Sequence, residues 1–105
     1  MRALRIALVA CLFGAQALAD EVPAIWKSKC ASCHGDDGKA QTKTGKKEKI
    51  NDMTAAAWQT EWTDEKMKKM ITEGSKDNSK MKSFKAKLSA EEIDGLIKHI
   101  RSFKG

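Results

Sequence analysis

The sequence predicts an all-α fold, and three observations predict it. No stretch after residue 19 alternates apolar and polar residues with the period of a strand. Two segments, near residues 64–73 and 90–103, repeat apolar side chains at helical spacing behind capping residues. The third is Cys30-Ala31-Ser32-Cys33-His34, a C-x-x-C-H run. Two thiols three residues apart on one helical turn can each add to a porphyrin vinyl group, and the next residue can set an imidazole on the iron. The expected architecture is three to four helices wrapped around one covalently attached haem (haem c).

The first nineteen residues stand apart from that fold. Arg2 and Arg5 form a positive start, Ile6 to Gly14 an apolar run, and Ala17-Leu18-Ala19 an A-x-A cleavage site. Residues 1–19 are expected to be a cleaved secretory signal peptide, and residues 20–105 a single domain. The apolar run is too short to span a hydrocarbon core of about 30 Å, so the mature chain is expected to carry no integral membrane segment. Leu8-Val9-Ala10-Cys11 also resembles a lipoprotein processing box, which makes anchoring at Cys11 the minor alternative. On either reading the protein is exported, and a periplasmic location is expected.

So short a domain buries a low fraction of its surface and needs a staple. Cys30 and Cys33 are the only cysteines left after residue 19. A thioredoxin-type pair is expected near a βαβ pattern, which is missing, and a zinc site wants two further close Cys or His ligands. His34 and the thin core favour haem.

From Pro23 a helix should run into the motif, with acids Asp20 and Glu21 ahead of it and Trp26 packed inward one turn before Cys30. Gly35 to Gly38 should end it. Lys39 to Asn51 reads as a polar loop, and Ala55 to Trp58 as a short helical turn. Thr63 caps a helix over Asp64 to Glu73, with Trp62 and Met67 placed as a hydrophobic staple and Gly74 as the terminating residue. Ser89 and Glu92 form a capping box for the last helix, whose stripe is Ile93, Leu96, Ile97, Ile100 and Phe103.

Of the 20 Lys and Arg, Arg2 and Arg5 fall in the signal, so the exported part keeps 18 against all 14 Asp and Glu, a net +4. Seventeen of those 18 are lysine, diluted by acids in every segment. With no recognition motif and with export, nucleic acid is a poor partner. Redox protein partners with acidic docking surfaces suit the charge better.

The sixth iron position decides the chemistry, because Met with His favours electron transfer whereas an open site admits small molecules. Met53 lies in a short apolar patch, and Met67 and Met70 sit on a stripe that packing explains. His99 falls at the margin of the last stripe. Met81 stands alone in a polar loop between Gly74 and Ser89, where no amphipathic pattern accounts for it. The expected metal ligands are therefore His34 and Met81, and the cofactor-binding residues Cys30, Cys33, His34 and Met81. A plainly exposed Met81 is the alternative.

In this order of elements the chain resembles the small bacterial class I cytochromes c. The likeness covers the whole mature chain and rests on C-x-x-C-H-G, the aromatic residue one turn before it, and Met81 followed by Phe84, Leu88 and Ser-Ala-Glu-Glu-Ile. The family commonly has proline after the axial methionine, where this chain has Lys82, and often tyrosine where it has His99. The resemblance implies a monomeric electron carrier, not an enzyme, whose last helix crosses the first at Trp26. It also implies a propionate donor in Trp58 or Trp62, with core packing as the alternative use. Two other functions stand beside electron transfer: a CO or NO sensor with a labile sixth ligand, and a cytochrome subunit of a larger oxidoreductase.

Overall fold

The computed structural model describes residues 21–77 and 81–103, so the signal-peptide reading of residues 1–19, Cys11 included, lies outside them. The described residues are helical with no strand. We label the helices α1 (21–29), α2 (Ala31–His34), α3 (Lys43–Lys47), α4 (Ala56–Glu61), α5 (Asp64–Glu73) and α6 (Ala90–Arg101). Three of the six are short: α2 continues α1 past Cys30, while α3 and α4 are one to two turns each.

The crossing of α1 and α6 organises the core. Val22 and Trp26 are one turn apart on α1, and Gly95 and His99 are one turn apart on α6. A Cβ on Gly95 would come 2.6 Å from Val22 Cγ2, so this glycine is what lets the two helices approach. Trp26 then packs with its ring tilted against those of His99 at 5.4 Å and Phe103 at 5.0 Å. Ile93, Leu96, Ile97 and Ile100 are buried along α6, joined by Met67 and Ile71 of α5 and by Leu88. Burial of each such side chain contributes roughly 1.5–3 kcal/mol, so the α6 stripe is a large share of the core's stabilisation.

The capped helices lie where their local chemistry puts them. Thr63 accepts from the Lys66 amide at the start of α5, and Ser89 and Glu92 close a reciprocal capping box on α6. α5 ends at Gly74 with φ +80°, ψ 173°, a positive-φ stop with extended ψ where the sequence suggested a left-handed helical one. Phe103 lies in the turn after α6, so the apolar stripe outlasts the helix.

The segment expected to be a loop from Lys39 to Asn51 contains a helix, α3. Thr42 caps it, its Oγ1 accepting from Gly45 N at 2.8 Å and donating to the Cys33 carbonyl at 2.7 Å. Gly45 is buried against the α2 backbone. The segment has its own cap but no apolar stripe, and it packs through Thr42 and Gly45 on α2, which is why periodicity did not reveal it.

α4 is tied to α6 by one arginine. Arg101 donates to Asp64 Oδ1 (3.0 Å), to the Gln59 carbonyl (2.6 Å) and Oε1 (3.0 Å), and to the Trp62 carbonyl (2.7 Å). Gln59 Nε2 in turn donates to the carbonyls of Met53 and Ile100 at 2.7 and 3.0 Å. Among the described residues no helix is long and apolar enough to cross a membrane.

Candidate functional site

One cavity of about 300 Å³ opens among α1, α2, α4, α5 and the segment after residue 80. Cys30, Cys33, His34 and Met81 all line it, so residues 47 or more positions apart in sequence meet Met81 at one space. Trp58 and Trp62 form part of the wall as a stacked pair, with ring centroids 5.9 Å apart at 20°.

α2 is a single turn, with the Cys33 and His34 amides both bonded to the Cys30 carbonyl. Its end is closed by the Gly35 amide on the Ala31 carbonyl and by the Ala40 amide on the His34 carbonyl, each at 2.8 Å. The three motif side chains are thereby held to one side of a fixed turn. Neither thiol is in a disulfide. Burial pushes the Cys30 thiol up to about 11, which keeps it protonated at neutral pH.

His34 carries the clearest sign of a missing partner. Among the described residues its Nδ1 is the one buried side-chain nitrogen or oxygen without a hydrogen-bond partner. A buried orphan of this kind costs about 1–3 kcal/mol, which the fold bears at the residue that follows the two thiols. Burial also holds the imidazole below the usual histidine range, favouring the neutral form that ligates metal. A neutral imidazole, two reduced thiols on one turn and a cavity walled by Trp, Met, Ile and Leu side chains fit a haem.

The structure brings in residues that spacing had assigned elsewhere. Met53, Met67 and Met70 line the same cavity as Met81, so the stripe of α5 faces the site as well as the core. A helical stripe cannot show whether it meets side chains or a cofactor, since both call for an apolar face. Lys29 and Lys49, both exposed, also border the cavity. His99 packs on Trp26, away from the cavity lining, as a boundary residue.

Comparison with known proteins agrees with this geometry. Residues 17–100 match the family described as cytochrome c oxidase, cbb3-type, subunit III. Among solved structures, the KustC0563 c-type cytochrome superposes with a TM-score of 0.72 at 32% identity, covering 79% of this chain and 96% of that one. No curated protein matches. The helical fold, the C-x-x-C-H turn at an apolar cavity and the extent of the family match lead to one conclusion: the chain belongs to this family of small monohaem cytochromes c, proteins that carry electrons on haem.

Proposed function

We propose that the protein is an exported one-electron carrier in a periplasmic redox chain, with one haem attached through Cys30 and Cys33 and axial ligation by His34 and Met81. The observation that carries this reading is the convergence of those four side chains on a single apolar cavity. The haem iron supplies reversible exchange of one electron between the ferric and ferrous states, taken from a protein donor and passed to a protein acceptor. His34 offers a neutral imidazole, and Met81 a thioether that favours the less charged ferrous state and closes the iron to substrates. Trp58 or Trp62 donates its indole N–H to a propionate. Lys29 and Lys49 at the cavity steer an acidic partner, and the mature chain acts as a monomer.

Pyridine haemochrome and ferric optical spectra of the exported protein test this directly. Covalent, low-spin haem with a thioether-to-ferric band, abolished in Met81→Ala, is the expected result; a high-spin wild type overturns Met81 ligation. For docking, the rate of reduction by an acidic partner should fall as salt rises, and a salt-independent rate removes the steering role.

The family description favours one second reading, a cytochrome subunit held in a larger oxidoreductase. Sedimentation and co-purification from the native membrane fraction separate the two. A freely sedimenting monomer supports the diffusible carrier.

A further inference from the structure

The segment after Met81 is tied down by hydrogen bonds. The last carbonyls of a helix have no partners within it. In α5 two of them, Ile71 and Thr72, are taken by this segment: the Phe84 amide donates to Ile71 at 3.0 Å and Ser83 Oγ to Thr72 at 2.6 Å. The Ser75 amide, just past α5, donates back to the Met81 carbonyl at 2.9 Å. Gly74 lies beneath these bonds at φ +80°, where a Cβ would come 2.8 Å from both the Met81 carbonyl and the Ser83 amide. The segment therefore caps α5. Because α5 also presents Met67, Met70 and Ile71 to the cavity, fixing the segment to α5 fixes Met81 relative to that cavity.

We propose that Ser83 is a positioning residue for the sixth ligand, its hydroxyl latching the Met81 segment to the end of α5. The proposal rests on ligation by Met81. Ser83 is exposed and touches no cavity wall, so its side chain acts on the iron only through the backbone it holds. Of the three bonds, the Ser83 hydroxyl is the one that a side-chain substitution can remove without altering the chain path.

The experiment compares holoprotein variants Ser83→Ala, Ser83→Thr, Met81→Ala and Thr60→Ala. Thr60→Ala removes a hydroxyl bonded to a helix carbonyl on α4 and serves as the control. In Ser83→Ala, which loses the bond to the Thr72 carbonyl and the weaker one accepted from the Lys85 amide at 3.3 Å, the fraction of ferrous protein open to CO should rise at least about fivefold, and the thioether-to-ferric band should be lost at lower temperature than the helical signal. Ser83→Thr should restore both, and Thr60→Ala should move neither. Amide exchange supplies a second measure: in Ser83→Ala the Phe84 and Ser75 amides should exchange faster while those of Leu96 and Ile97 do not. Unchanged CO binding, band and exchange in Ser83→Ala overturn the latch. If Met81→Ala keeps the band, the ligation reading itself fails, a distinct outcome.

Discussion

The Trp26 indole N–H donates to the Gly35 carbonyl at 3.0 Å, so the residue at the α1–α6 crossing also braces the turn that leaves the C-x-x-C-H helix. Its ring lies 5.9 Å from that of His34 and 5.0 Å from Phe103. Packing and site geometry share this one side chain. Trp26→Phe keeps most of the apolar area but removes one of the two donors to the Gly35 carbonyl, leaving the Gly38 amide at 3.3 Å, and should cost about 0.5–1.5 kcal/mol. Trp26→Ala removes the ring as well and should cost about 3–5 kcal/mol. Denaturant unfolding of both variants checks the order; equal losses would show that the ring's packing contributes nothing, and an unchanged Trp26→Phe that the hydrogen bond contributes nothing.

Val22 and Gly95 provide a test of the crossing itself. Gly95→Ala gains about 1 kcal/mol of helix propensity but drives a methyl into a valine whose stiff χ1 leaves little room. Overpacking of this kind costs about 1–3 kcal/mol, so the single variant should be destabilised on balance. In the Val22→Ala background the same change should become stabilising. A double-mutant cycle showing additivity would mean that the helices separate freely.

Arg101 and Asp64 form an ion pair at 2.9 Å, yet the pair is the lesser part of what Arg101 does. Asp64 is 72% exposed, and a surface pair contributes at most about 1 kcal/mol. The bonds from the guanidinium to the Gln59 and Trp62 carbonyls are partly buried and charge-assisted, of the kind that contributes about 1.5–3 kcal/mol. Asp64→Asn should therefore be nearly silent. Arg101→Lys, which cannot fork to three groups, should cost about 1.5–3 kcal/mol in urea unfolding and shift the Trp62 fluorescence. Equal effects from the two substitutions would return the weight to the ion pair.

Two pH windows follow from two groups. Burial beside Trp26 and Phe103 holds the His99 imidazole below its ordinary 6.5. The unfolded chain then binds a proton that the folded chain refuses, so stability is fully present above pH 6.5 and falls as pH drops through the lower folded value. Hydrogen bonds from the Thr54 hydroxyl and amide depress Asp52 below 3.8. Its contribution holds above that value and is lost as pH falls further, a small step because the carboxylate faces solvent. The difference in Tm between wild type and His99→Gln should shrink only in the upper window, and that for Asp52→Asn only in the lower. A constant difference from pH 8 to pH 5 would sink the His99 assignment.

Legibility in the sequence followed the range of the stabilising interaction. α5 and α6 could be bounded beforehand because Thr63–Lys66 and Ser89–Glu92 are bonds between residues three apart. α3 could not, although its Thr42–Gly45 cap is equally local, because it carries no apolar stripe and is anchored by the bond from Thr42 to the Cys33 carbonyl. Arg101 read only as charge, since its partners lie 37 to 42 positions away. Ser83 had no signal at all, because a serine in a polar loop is ordinary until the end of a helix lies under it.

By itself, then, the sequence determined the helical class, the cap positions and the chemistry of the C-x-x-C-H turn, since each depends on side chains within a few residues of one another. Tertiary structure alone decided that Gly95 meets Val22, that four methionines border one cavity, and that the segment after Met81 closes the end of α5. Those facts depend on where distant helices cross. That is set by close packing across the whole core, where the room left by one glycine or the reach of one guanidinium fixes which surfaces meet.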